Sequence, residues 1–148
     1  MRILHLSIFD RSGGACIAAY RQHTALLGAG IDSRMLVKGK ITNDAKVELY
    51  QAPMDFPHRV KRYIRRKTLK LQATSRESIF EYFDDRSEHQ GIEKTLRNFD
   101  IINLQFSQGF LDHPSFFKNL PKQIPIVVTM HEMSCFTSGW AYTGSDPS

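Results

Sequence analysis

The chain has 148 residues, of which 41% are hydrophobic and 24% charged, with only two cysteines. Those values fit one globular domain. They exclude a disulfide scaffold, and no apolar run approaches the roughly 18 residues that a membrane helix needs. The formal charge of +5 is local, because seven of the 20 basic residues crowd into positions 57–75 with no acid among them. The remainder of the chain is slightly acidic.

Residues 2–8 read as a buried strand, with Ile3, Leu4, Leu6 and Ile8 as its apolar set. Met1-Arg2 leads straight into it without the apolar core and cleavage site of a signal peptide, so the expected compartment is the cytoplasm. Residues 9–14 form a turn containing Ser12, Gly13 and Gly14. Residues 15–29 read as a helix whose packing face includes Ile17, Tyr20, Ala25 and Leu27, ended by Gly28 and Gly30. Strands are expected at 33–38 and 46–50. Pro53 and Pro57 then interrupt regular structure. From 58 to 71, basic residues alternate with Val60, Tyr63, Ile64, Leu69 and Leu71, a rough amphipathic helix. Phe80, Tyr82 and Phe83 anchor an irregular stretch. A short helix is expected at 92–99, a central strand at 100–105, a helix at 114–120 and a last strand at 125–130. His131 follows that strand directly, and 134–148 reads as loop.

Apolar strands alternating with helices imply an α/β fold: a doubly wound, mostly parallel sheet with helices on both faces. Ligands of such sheets collect beyond the carboxyl ends of the strands, near the switch in strand order. Three loops meet that criterion: 10–14, 105–109 and 131–139. The first also opens a helix, whose free N–H groups suit a phosphate or another anion.

Each candidate residue has a plain structural alternative. The Gly13-Gly14 pair is neither GxGxxG nor a Walker motif, and a tight turn calls for glycine whatever its function. Its functional gain is close backbone approach to a ligand. His131 can hydrogen-bond a ligand hydroxyl or brace a neighbouring loop. Glu132 can orient that ring, face a substrate or simply sit in solvent. Cys16 reads as a small buried apolar residue. The six histidines show no metal-ligand spacing, so no metal is expected. The basic segment, with Arg62, Arg65, Arg66 and Lys67, suits a solvated face, an anionic membrane surface or nucleic-acid phosphate. Sparse aromatic interleaving and the absence of an RNA-binding signature count against nucleic acid.

In this order the segments resemble the N-terminal part of a family 4 glycosyltransferase of the GT-B architecture. MRILHLSIFDRSGGACIAAYR is similar to that family's first strand, glycine loop and first helix. Asp100-Ile-Ile-Asn-Leu-Gln resembles its "DIINLHW" strand, and Ile126-Val-Val-Thr-Met-His-Glu-Met its "VVWTLHDMW" strand end. Phe136-Thr-Ser-Gly resembles the "FTGG" that follows. The resemblance spans nearly the whole chain and is weakest over 47–87.

The resemblance implies that 1–148 is a single Rossmann-like, acceptor-side domain, half of a GT-B enzyme. Its donor-binding C-terminal partner would lie outside these residues, so the chain alone is expected to show no appreciable turnover. The implied activity is retaining transfer from a nucleotide sugar to a glycan or lipid-linked acceptor, in surface polysaccharide synthesis, without cofactor or metal. The setting is cytoplasmic or peripheral at the inner membrane face. Ser12, Gly13, Gly14, Gln105 and Glu132 fall at substrate-binding positions, and His131 matches the histidine that contacts the donor sugar near its reacting carbon. Glu132 replaces the family's aspartate, Ser134 its tryptophan and Gln105 its histidine. An uncovered cleft wall would favour self-association. The competing readings are a non-catalytic glycan- or anionic-surface-binding module and, behind it, a basic nucleic-acid binder.

Overall fold

The computed structural model describes residues 1–51, 91–105, 107, 109–111 and 113–131. The basic stretch with Arg62, Arg65, Arg66 and Lys67 lies outside them, as do Phe80, Tyr82, Phe83, Glu132, Cys135 and the expected terminal loop.

The elements run β1 (Arg2–Phe9), α1 (Gly13–Gly28), β2 (Asp32–Gly39), β3 (Val47–Leu49), α2 (Ile92–Leu96), β4 (Ile101–Leu104), α3 (His113–Asn119) and β5 (Ile126–Val128). The five strands make one sheet in the order β3-β2-β1-β4-β5. Every pairing in it is parallel. The architecture is therefore a Rossmann-like α/β sheet. Among the described residues no helix is long and apolar enough to cross a membrane.

β1 sits in the middle because it is buried on both sides. Its even positions, Leu4 and Leu6, join Leu36, Ile102, Leu104, Ile92 and Leu96 of α2, and Phe116 of α3. The other face carries Met35, Val37 and Val47 against Ala19 of α1. The chain leaves β1 toward β2 through α1 and leaves β4 toward β5 through α3, in opposite directions across the sheet. Right-handed crossovers in opposite directions put their helices on opposite faces, which is where these two clusters lie.

α1 ends in a Schellman closure. Gly30, at φ +75°, donates to the Leu27 carbonyl and Ile31 to that of Leu26. Only glycine adopts that φ without cost, so Gly30 is the residue that turns the chain into β2.

The packing face of α1 differs from the expected one. Its buried residues are Cys16, Ala19 and His23. Ile17, Tyr20 and Leu27 are only partly buried, and Ala25 is exposed. The reason lies in the sheet. The odd positions of β1 and their neighbours bring His5, Ser7, Ser33, Asn103 and Gln105 to the interior as buried polar groups. A helix laid over a polar surface packs through small and hydrogen-bonding residues. The Ser7 hydroxyl accordingly lies 3.7 Å from Cys16 Sγ, and His23 Nδ1 lies 2.7 Å from Ser33 Oγ. At one end of the described sheet, Val127 and Val128 of β5 are 48% and 45% exposed, while Ile126 packs against the core.

Two imidazoles in this layer are neutral. Burial, aided by the neighbouring His23, pushes the pKa of His5 down to about 4 from an ordinary 6.5. Burial also lowers His23, with Asp44 opposing and Lys46 reinforcing the shift. His23 Nε2 and Asp44 Oδ2 are 3.8 Å apart. That is too far for a hydrogen bond, and with a neutral ring the contact is not an ion pair. The Nε2 atoms of both rings have no hydrogen-bond partner among the described residues. The unfolded chain takes up protons at these rings near pH 6.5, whereas folded His5 does so only near 4. Stability is therefore complete above pH 6.5 and falls as the pH drops toward 4, by about 3 kcal/mol for His5 alone. Urea midpoints measured across that window will show the decline, and His5→Met will flatten it. An equal slope in the variant would rule out His5 as its source.

Candidate functional site

The carboxyl ends of β1, β4 and β5 lie along one edge, because the three strands are adjacent and parallel. The strand order reverses at β1, the first strand in the chain, from which β2 and β4 lie on opposite sides. That is the switch point at which open α/β sheets hold ligands.

At the end of β1, Asp10 builds the turn. It is fully buried. Its Oδ1 accepts the N–H groups of Arg11 (3.0 Å) and Ile41 (2.9 Å). Its Oδ2 accepts the N–H (2.8 Å) and the hydroxyl (2.7 Å) of Thr42. Burial by itself would raise this carboxyl's pKa. The hydroxyl and backbone donors outweigh burial and hold it below the usual carboxylate range. Asp10 thus ties the start of the glycine turn to the loop between β2 and β3.

Ser12 follows as the exposed residue before α1, and its side chain makes no capping hydrogen bond. No acidic residue lies in the first turn of α1 either. The first-turn N–H groups are thereby left at the positive end of a 16-residue helix with no side-chain cap from Ser12. Gly13 has φ +80°, a conformation that glycine alone adopts cheaply. Gly14 does not, and among the described residues a Cβ added at either glycine would meet nothing within 4 Å. Gly13 is needed by the backbone. Gly14 is not needed by backbone or packing, and its missing side chain leaves the space in front of the turn open.

The second half of the edge is a chain of side-chain amides. His131 follows β5 and is half-buried, with Nε2 2.8 Å from Gln105 Oε1. Gln105, at the end of β4, is buried. Its Nε2 donates to Gln22 Oε1 of α1 at 2.6 Å and lies 3.4 Å from His5 Nδ1. Asn103 Nδ2 also donates to Gln22 Oε1, at 3.3 Å. The Thr129 hydroxyl donates to Asn103 Oδ1 at 3.0 Å. Five residues in or just after the strands (His5, Asn103, Gln105, Thr129 and His131) and one helix residue, Gln22, therefore share a continuous hydrogen-bond path.

The structure brings Gln105 and His131 into direct contact and sets Ser12, Gly13 and Gly14 on the same edge. No hydrogen bond joins the glycine turn to His131 among the described residues. Two strand spacings separate β1 from β5, roughly 10 Å. Gln22 lies nine positions beyond Gly13, roughly 13 Å along α1. The two halves of the edge are thus a ligand's length apart. Glu132 and the basic residues of 62–67 fall outside the described residues. Sequence reasoning missed Gln22, His5, Asn103 and Asp10. A search for apolar periodicity discards polar positions, and the usable signal was polar residues at odd positions within apolar strands.

Among the described residues no group of three or more His, Cys, Asp or Glu side chains could hold a metal ion. Comparison with protein-family models, with curated proteins and with solved structures finds no match to the chain.

The geometry gives a prediction for each of three variants. Asp10→Ala removes the acceptor of three backbone N–H groups and the Thr42 hydroxyl and will lower stability by about 3 kcal/mol, with faster amide exchange at Ile41 and Thr42. Gly13→Ala will cost about 1–2 kcal/mol from its left-handed φ. Gly14→Ala will instead be neutral or stabilising by up to about 1 kcal/mol, since alanine favours helix. Denaturant unfolding of the three variants checks all of these.

Proposed function

We propose that this domain is the acceptor-side half of a retaining GT-B glycosyltransferase, which transfers a sugar from a nucleotide-sugar donor to a glycan or lipid-linked acceptor. In this reading the enzyme works in surface polysaccharide synthesis, on the cytoplasmic side of the membrane. Three of the four segments that carry the resemblance begin on β1, β4 and β5, which are neighbours in a parallel sheet, while Phe136-Thr-Ser-Gly lies outside the described residues. The single observation that carries the reading is the Gln105–His131 contact on the edge shared with the open Gly13-Gly14 turn.

The chemistry follows from the two halves of that edge. The first-turn N–H groups of α1, which Ser12 does not cap, and the bare backbone at Gly14 suit a diphosphate, which needs donors and close approach. The imidazole of His131, braced by a buried amide, suits a sugar hydroxyl. A nucleotide sugar is long enough to touch both. Its reacting carbon would lie near His131 and its phosphates near the turn. The protein's share of catalysis is then positioning, because both reactants must be held in register. No metal enters this scheme.

UDP-glucose and GDP-mannose, titrated separately into the ¹⁵N-labelled chain, test the reading. The expected result is saturable shifts at Gly13, Gly14 and the His131 ring with at least one donor. Gly14→Ala will weaken that binding about tenfold while leaving stability intact, which corresponds to about 1.4 kcal/mol. Absence of shifts at all three positions with both donors would overturn it, as would an undiminished affinity in Gly14→Ala.

A further inference from the structure

The amide chain beneath α1 has a polarity, and Gln22 is where it is set. Gln105 is 5% exposed and Asn103 4%, so their amides have little recourse to water. Both NH₂ groups converge on one atom, Gln22 Oε1. Turning the Gln105 NH₂ toward Gln22 turns its carbonyl toward His131. A carbonyl oxygen only accepts, so the ring nitrogen 2.8 Å away, Nε2, must carry a proton. In the neutral ring Nδ1 is then the bare acceptor. At the other end, the same Gln105 NH₂ faces His5 Nδ1 at 3.4 Å, which makes His5 the Nε2–H tautomer as well.

The path has one alternative. If all three amides turned over together, Gln22 would donate to Asn103 and Gln105, and Gln105 would donate to His131. The number of hydrogen bonds would be kept, but both histidines would change tautomer. The tautomer of His131 is thus a property of the whole network, and an acceptor at position 22 selects one of its two states. Gln22 is exposed and 109 positions from His131 in sequence, so it can be changed without opening the core.

We propose that Gln22, acting through Gln105, is a positioning residue that holds His131 as its Nε2–H tautomer and presents Nδ1 as a hydrogen-bond acceptor. The ligand feature this selects is a hydroxyl group, which can donate; an unprotonated phosphate oxygen cannot. The positioning claim stands on the hydrogen bonds alone, and the ligand claim rests on the function proposed above.

The test separates them. Ring nitrogens of His131 and His5 are read from long-range ¹H–¹⁵N spectra at about pH 8, above the ordinary histidine range. The parent protein and Gln22→Glu, an acceptor only, will show His131 and His5 as Nε2–H. Gln22→Lys, a donor only, will move both rings to Nδ1–H together. A parent His131 in the Nδ1–H form, or a Gln22→Lys variant that leaves both rings unchanged, would overturn the positioning claim. The same three proteins are then titrated with UDP-glucose and GDP-mannose. Retained affinity in Gln22→Glu and a loss of about tenfold in Gln22→Lys would support the hydroxyl-acceptor role. Equal affinities across all three, with the tautomers switched as expected, would refute that role and leave the positioning claim standing. Binding of neither donor by the parent would count against the function itself, while the tautomer result would still decide the role of Gln22.

Discussion

The structure depends on the parallel pairing of β1 with β4. Their register aligns Leu4 with Ile102, His5 with Asn103 and Leu6 with Leu104. This pairing joins the first strand to one that arrives about 100 residues later. It brings together the polar residues that α1 covers, and it puts the end of β1 beside the end of β4. If the register slipped by one residue, every side chain of one strand would change faces. His5 would then enter the apolar cluster that holds Leu4 and Leu6, and the amide path to Gln105 would be cut.

That pairing also explains the two unlike faces of the sheet. One is an ordinary apolar core, sealed by Ile92, Leu96 and Phe116. The other combines a small apolar cluster with a buried polar layer. Buried polar groups are costly unless they are paired, and most of these are: Ser33 with His23, Asn103 with Gln22 and Thr129, and Gln105 with Gln22 and His131. A sheet that needed only stability would fill this face with aliphatic residues. The polar layer gives up part of that stability to aim side chains at the carboxyl edge, and functional sites commonly show such local departures from the rule.

The fold was largely legible in the sequence. The runs around Ile3–Leu6 and Ile101–Leu104 alternate or cluster strongly enough to mark strands, and Gly13, Gly14 and Gly30 mark the ends of α1. Boundaries shifted by one to three residues, as helix and strand ends do. The packing face of α1 was misread because the helix was assumed to lie on an apolar surface. Cys16, Ala19 and His23 make sense only once Ser7, Ser33 and His5 are known to lie beneath them. In the candidate site, the glycine turn, Gln105 and His131 were legible from position after a strand. Asp10 was not, since an aspartate before a turn has many possible partners and its four donors come from residues 11, 41 and 42.

Local chemistry explains this division. Hydrophobic period and glycine placement act between residues a few positions apart, so the sequence by itself determined the order of strands and helices, their parallel class and the edge on which the turn loops fall. Hydrogen-bond partnership is a long-range matter. His5 meets Gln105 across 100 positions and Gln22 meets Gln105 across 83. Only the tertiary structure, through the register of strands brought together from distant parts of the chain, decided which buried polar atoms face each other and which nitrogen of His131 is held.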